Sequence, residues 1–319
     1  MTRIVMLDPM PEARLERIRP YLPEGWTVTT AASRAPADQI AALEGASFAI
    51  TGDVPVSAGM MAVPGLRGVH KWGVGYDNID CEAAQSHGVR VMRTTGSNAV
   101  AVAETTLGFI LALNRNIVRG HVGMLDGKWL KQDLSSSSMR LSGKTVGIVG
   151  LGYIGKALAR LLAGFGCTIL YAKRTPLTPE EEAELGVRFA PLDDLLAQSD
   201  VVTLHCALND ETRGLIDAAT LARMKQGALL INAARGGVVV EADLAAAVVS
   251  GHLRGAAVDV FATEPAETGN PLVGVDGIIV TPHVGAMSAD AFVASITRMI
   301  ANLRAVDRGD DPPALDTVV

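Results

Sequence analysis

The stretch that most narrows the fold is "KTVGIVGLGYIGKALARLLAGFG", residues 144–166. A short apolar run leads into Gly150, Gly152 and Gly155, and an amphipathic run follows at once. Strand, GxGxxG turn and helix in that order open a dinucleotide-binding βαβ unit. Each glycine has its own duty. The first permits the tight bend, the second lets a pyrophosphate approach the backbone, and the third allows close packing of helix on strand. The unpaired amides at the helix start then face the phosphates. A second strand beginning at Cys167 supplies the context that a lone glycine pattern lacks. By contrast, "GKT" (143–145) is no P-loop, because the glycine required five positions earlier is Ser138.

Hydrophobic periodicity extends this unit in both directions. "RIVML" (3–7), "SFAIT" (47–51), "RGVHKW" (67–72) and "VRVMRT" (89–94) read as short strands separated by helical stretches. A second series comprises "KTVGIVG" (144–150), "CTILYA" (167–172), "SDVVTLHC" (199–206), "GALLINAA" (227–234), "RGAAVDVF" (254–261) and "GIIVTPH" (277–283). Strands this uniformly apolar belong to parallel sheets covered on both faces by helices. The spacing predicts one long helical element over 98–129, acting as a hinge, and the polar run "SSSS" (135–138) reads as a solvated loop. The amphipathic stretch 288–309 is expected to return to the first series. Two domains follow: residues 1–97 with 288–319, and residues 98–287.

Bulk properties remove several classes of function. A chain of 319 residues is too long for one small core and fits two medium domains. The formal charge of −6 gives no polycationic surface, so nucleic acid is not expected as a partner. No apolar run reaches spanning length, so no membrane association is expected either. Cys81, Cys167 and Cys206 are odd in number and lack paired spacing, which argues against a disulfide framework and against a metal site. A cytoplasmic location is the expectation.

The second strand of the dinucleotide unit ends in "LYAKRT" (170–175). In a chain that binds NAD, an acidic residue there accepts hydrogen bonds from the adenosine ribose. This chain offers Lys173, eighteen residues beyond Gly155, and then Arg174. An ammonium and a guanidinium attract the 2′-phosphate of NADP, which a carboxylate would repel. NADP is therefore the expected preference, with NAD as the alternative. Three later strands end in charged residues: "INAARGG" brings Arg235, "VDVFATEP" brings Asp259 and Glu264, and "VTPHVG" brings His283. Ligands in doubly wound sheets sit at the carboxyl ends of strands, so these residues are expected to converge. An arginine grips a carboxylate in bidentate fashion and polarises a neighbouring carbonyl. A carboxylate beside a histidine orients the imidazole and favours its charged form, which makes an acid/base pair.

With these residues in place, the chain resembles the D-isomer-specific 2-hydroxyacid dehydrogenases. The matching stretches also include "KWGVGYDNID" (71–80), "NAVAVAETTLGFILAL" (98–113), "TLHCALNDETRGLID" (203–217), "LINAARGGVVVEADL" (230–244), "GAAVDVFATEP" (255–265) and "TPHVGAMS" (281–288). The resemblance implies an α/β protein with a flavodoxin-like substrate domain built from both termini and a Rossmann-like cofactor domain between them. It further implies a homodimer formed through the cofactor domain. Arg235 matches the family arginine on the substrate carboxylate and carbonyl, His283 the proton donor, and Glu264 its partner. By the same resemblance, Val74 and Gly75 offer backbone amides to the substrate carboxylate. Thr105 lies near the pyrophosphate, Tyr153 and Ile154 supply fingerprint backbone, and Asp259 meets the nicotinamide carboxamide. His205, Cys206, Ala207 and Ala233 line the cofactor pocket.

Departures from the family pattern narrow the substrate. Ala207 replaces a usual proline and Val240 a usual aspartate, neither at the proposed chemistry. Phosphoglycerate dehydrogenases of the family place an arginine near the position of Asp53, and phosphite dehydrogenases a lysine where Val74 stands. Both substrates are therefore disfavoured, and the length leaves no room for the extra regulatory domain that many phosphoglycerate enzymes carry. A basic residue after the second strand resembles glyoxylate and hydroxypyruvate reductases, so a small 2-keto or 2-hydroxy acid is the expected substrate. The alternatives are a phosphoglycerate-type enzyme, and a corepressor-like or sensing protein that binds NAD(H) without turnover.

Overall fold

Two-residue alternation within the central strands divides their side chains between two cores, and the computed structural model contains two parallel sheets. The structure describes residues 2–319. It divides into two compact units, Met1–Asn98 with Ser288–Val319, and Ala99–Met287.

In the first unit, β1 (Thr2–Met6), β2 (Trp26–Thr30), β3 (Phe48–Thr51), β4 (Gly68–Lys71) and β5 (Arg90–Met92) form a parallel sheet in the order β2-β1-β3-β4-β5. Val5, Ala49, Val69 and Val91 point into one core, while Ile4, Met6, Phe48, Ile50 and Met92 point into the other. Helix Phe292–Asp307 seals the second core with Ile296, Met299, Ile300 and Leu303. The C-terminal segment then pairs with β5, where the Val318 amide donates to Val91 O at 2.8 Å.

In the second unit, β6 (Thr145–Val149), β7 (Thr168–Ala172), β8 (Val187–Phe189), β9 (Val201–Leu204), β10 (Ala228–Asn232), β11 (Leu253–Val258) and β12 (Ile278–Val280) are parallel throughout. Their order, β12-β11-β10-β9-β6-β7-β8, reverses direction beside β6, and the crevice at such a switch point is where doubly wound sheets bind ligands. Val146 and Ile148 face one core with Leu229 and Ile231, and Val149 faces the other with Val202 and Leu230.

Two strands escape the hydrophobic reading. β2 and β8 alternate apolar with polar residues, as in Trp26, Thr27 and Val28 or Val187, Arg188 and Phe189, and so lack the continuous apolar run by which the other strands were read. The single long helix expected over 98–129 is instead two helices, Ala99–Asn114 and Ile117–Leu125. Asn116 breaks them apart with φ 54°, a left-handed conformation that asparagine tolerates better than most residues. Its side-chain amide donates to Ser137 Oγ and Ser138 Oγ, both at 3.1 Å, so half of the four-serine run is a structural partner rather than a solvated loop. Cys81, Cys167 and Cys206 are free thiols. Among the described residues, no helix is long and apolar enough to cross a membrane.

Candidate active site

The glycine turn is built as its residue types demand. Gly150 has φ 94°, and a Cβ there would lie 2.6 Å from the Cys206 amide nitrogen, so the end of β6 fits against the segment after β9 only without a side chain. A Cβ on Gly155 would meet Gly150 O at 2.6 Å, which fixes how closely helix Tyr153–Leu162 approaches the turn. A Cβ on Gly152 would meet nothing within 4 Å. The space beside it is therefore open to a ligand. Helix Tyr153–Leu162 has no side-chain cap, which leaves the amides of its first turn for an anion, and the Tyr153 side chain is 53% exposed. These features fit a dinucleotide pyrophosphate.

Beyond the turn lies a cavity of about 390 Å³, bounded by Val149, Gly150, Ala172, Cys206, Ala207 and Leu215. Lys173 and Arg174 stand at its rim with Asn209, Glu211 and Thr212. The last three were not singled out from sequence. Their signal was present in "ALNDET", because Asn and Thr three residues apart are turn-forming types. Cys206 is shielded, and burial pushes its thiol up to about 11. His205 accepts or donates at Nε2 with Thr203 Oγ1 at 2.9 Å, and burial pushes its imidazole down to about 4. Its buried Nδ1 has no partner among the described residues.

At the ends of β10, β11 and β12 the charged residues converge. His283 Nδ1 lies 2.7 Å from Glu264 Oε2, and the Phe261 amide donates to Glu264 Oε1 at 2.9 Å. Burial pushes the Glu264 carboxyl up, but the His283 hydrogen bond, the Phe261 amide and the charges of His283 and Arg235 outweigh it and hold the group below its ordinary range. The Arg235 backbone is locked by its neighbour. A Cβ on Gly236 would lie 1.8 Å from the Phe261 carbonyl carbon, so only glycine lets the arginine loop seat against the loop that carries Glu264. Gly236 thus serves backbone packing, while a Cβ on Gly237 would meet the Leu208 side chain at 3.1 Å.

Asp259 is 2% exposed and faces the histidine loop. Its Oδ1 accepts from the Val284 amide at 2.9 Å and its Oδ2 from the Gly285 amide at 2.7 Å, while the Thr281 hydroxyl donates to Oδ1. The His283 amide donates to Asp259 O at 2.8 Å. Thr105 Oγ1 donates to Gly285 O at 3.2 Å and ties helix Ala99–Asn114 to the same loop. Both residues therefore position His283, a task the sequence did not disclose. Ala233 is buried at the end of β10.

In the first unit, Gly73 adopts φ 142° after β4, and the turn that follows carries Val74 and Gly75. Among the described residues neither amide has a hydrogen-bond acceptor. Arg93 Nη1 donates to Val74 O at 3.2 Å and its guanidinium lies over the Tyr76 ring at 5.0 Å, which fixes the turn. Asp53 is exposed, with its amide held by Asp8 Oδ1 at 3.1 Å.

A glycine turn at the switch point of a seven-stranded parallel sheet, with an acid/base pair at neighbouring strand ends, defines a dinucleotide-binding α/β protein. Residues 107–285 match the family described as "D-isomer specific 2-hydroxyacid dehydrogenase, NAD binding domain". The chain is 40% identical over 254 residues to the D-3-phosphoglycerate dehydrogenase of Mycobacterium tuberculosis, covering 80% of this chain and 47% of that one. It thus spans about half the length of the phosphoglycerate dehydrogenases it matches. It is 39% identical over 258 residues to the glyoxylate reductase of Thermofilum pendens, covering 80% of this chain and 76% of that one. The NAD-dependent formate dehydrogenase from Staphylococcus aureus, solved in complex with NAD, superposes with a TM-score of 0.90 at 28% identity over 100% of this chain and 99% of that one. The chain belongs to the D-isomer specific 2-hydroxyacid dehydrogenase family.

Proposed function

We propose that this protein is a nicotinamide-dependent reductase of small 2-keto acids such as glyoxylate or hydroxypyruvate, with NADPH favoured. The observation that carries the reading is the 2.7 Å pair between His283 Nδ1 and Glu264, set in the same unit as the glycine turn. When bound, the nicotinamide supplies the hydride for the carbonyl carbon. Glu264 holds the Nδ1 proton and so leaves Nε2 of His283 to deliver a proton to the carbonyl oxygen. The adjacent carboxylate stabilises the imidazolium that must exist before delivery. Arg235 grips the substrate carboxylate and draws charge from the carbonyl. The Val74 and Gly75 amides of the first unit, which have no acceptor among the described residues, are by themselves suited to an anion such as a carboxylate. Helix Tyr153–Leu162 and the glycine turn hold the pyrophosphate, and Lys173 and Arg174 the 2′-phosphate.

The acid/base pair weighs against formate as substrate. Oxidising formate to carbon dioxide removes a hydride and leaves no oxygen to protonate, so a histidine charged by a glutamate has no work there. The measurement that decides is loss of nicotinamide absorbance with glyoxylate, hydroxypyruvate, pyruvate and longer 2-keto acids, run with NADPH and NADH. Turnover is expected with a small acid and a higher kcat/KM for NADPH. No oxidation with any acid overturns the enzyme reading in favour of a binding or corepressor-like role, and a clear NADH advantage overturns the cofactor preference.

We also infer a homodimer formed through the cofactor unit. Helix Ile117–Leu125 and the segment after it leave Ile117, Val122, Met124, Leu125 and Trp129 exposed, with Trp129 at 77%. An apolar surface of this kind is suited to a second copy. Light scattering should give twice the chain mass for the wild type and a monomer for Leu125→Glu with Trp129→Glu.

A further inference from the structure

We propose that Glu211 sets the choice between the two nicotinamide dinucleotides by competing with the 2′-phosphate for Arg174. The inference rests on the cofactor reading above and goes further, because it turns the site from a simple cation pair into a balance of charges. Arg174 Nη1 and Glu211 Oε2 stand 3.7 Å apart, both at the rim of the 390 Å³ cavity. Lys173 has an acidic neighbour of its own, Glu181, which also lies 3.5 Å from Lys156 Nζ. Arg174, one of the two cations that the sequence offers to a phosphate, therefore already faces a carboxylate.

Glu211 is presented by a fixed turn. Asn209 Oδ1 accepts from the amides of Glu211 at 3.0 Å and Thr212 at 3.1 Å. The Asn209 amide donates to Thr212 Oγ1 at 2.9 Å, and Thr212 Oγ1 donates to Ala207 O at 2.6 Å. These bonds hold the turn that carries Glu211, whose carboxylate stands beside Arg174 at the rim of the cavity. A dinucleotide with a 2′-hydroxyl leaves the Arg174–Glu211 pair intact. One with a 2′-phosphate brings close to two negative charges into the rim, must take Arg174 from Glu211, and then lies near a displaced carboxylate. Because both side chains are largely exposed, solvent and salt screen this competition, and its effect is several-fold rather than many orders.

The test is titration of the whole chain with NADPH and with NADH, followed by nicotinamide fluorescence and independent of any substrate. Glu211→Gln is expected to tighten NADPH roughly three- to tenfold and to leave NADH within about twofold, as befits an exposed charge pair. The gain should shrink when Arg174→Gln is added, because the two residues act on the same phosphate. Equal changes for both dinucleotides, or no change for NADPH, overturn the proposal while the cofactor reading stands. Wild-type preference for NADH with the Glu211→Gln gain intact overturns the NADPH preference and upholds the role of Glu211. Failure of the wild type to bind either dinucleotide overturns the cofactor reading and the proposal with it.

Discussion

His283 is held in place by two contacts in an uncommon backbone conformation. Glu264 takes its Nδ1, Asp259 O takes its amide, and its own backbone lies at φ 54°, a conformation that non-glycine residues seldom adopt without support. Replacing it tests chemistry rather than folding. In steady-state assays with glyoxylate, His283→Ala is expected to lower kcat by about two to four orders of magnitude, as loss of a general acid does. Arg235→Ala should raise KM as well, because the arginine holds the ground-state carboxylate. Unchanged kinetics in both would refute the roles. Glu264→Gln keeps the shape of the pair but removes the charge that stabilises the imidazolium, so reduction should fade at lower pH than in the wild type. A pH–rate profile checks this, and coincident high-pH limbs would rule it out.

At the scale of elements, the C-terminal segment is tied by a buried carboxylate and a partly exposed guanidinium. Asp316 is fully buried and receives Arg298 in bidentate fashion, at 2.7 Å from Nε and 2.6 Å from Nη2. Asn302 Nδ2 and the Thr95 amide complete its shell at 3.1 and 3.0 Å. Burial raises the Asp316 carboxyl, but these donors more than offset it and leave the group below its ordinary range. Arg298→Ala leaves that carboxylate with only the Asn302 and Thr95 donors and is expected to cost about 1–3 kcal/mol of stability, read from urea midpoints. A loss under about 1 kcal/mol, the scale of an exposed pair, would show that the segment is not held this way. Elements also mark where sequence patterns mislead. Alternation with polar residues hid β2 and β8, and a single left-handed Asn116 divided a helix whose apolar spacing ran on without interruption.

For the molecule as a whole, the first unit buries a neutral histidine, His70, and the second half-buries another, His205. Burial pushes His70 of the first unit and His205 of the second down to about 4, from an unfolded value near 6.5. His70 is fully buried; Nδ1 lies 2.8 Å from Lys71 O and Nε2 lies 3.1 Å from Asn302 Nδ2. A depressed histidine has no linked effect above the unfolded value, where both states are neutral. Between about pH 6.5 and 4 the unfolded chain takes a proton that the fold refuses, so stability falls as pH falls. By about pH 4.5 the first unit should lose on the order of 2–3 kcal/mol through His70. Urea unfolding at neutral pH and near pH 4.5 checks it, and His70→Gln should flatten that dependence if His70 is its source.

The strand alternation, the glycine turn and the residues at the ends of β10, β11 and β12 were legible in sequence, because each is a local pattern of apolar period, turn chemistry or residue type. The two-unit α/β class followed from the same patterns. Other features depend on segments far apart in the chain and carry no local mark. Gly236 is required by the Phe261 backbone, Asp259 and Thr105 steady the histidine loop, and Glu211 reaches Arg174 across thirty-seven positions of sequence. The sequence therefore determined which charged groups the strand ends would carry. Tertiary structure decided which of those charges meet an opposing one, since Coulomb energy depends on distance in space and not along the chain.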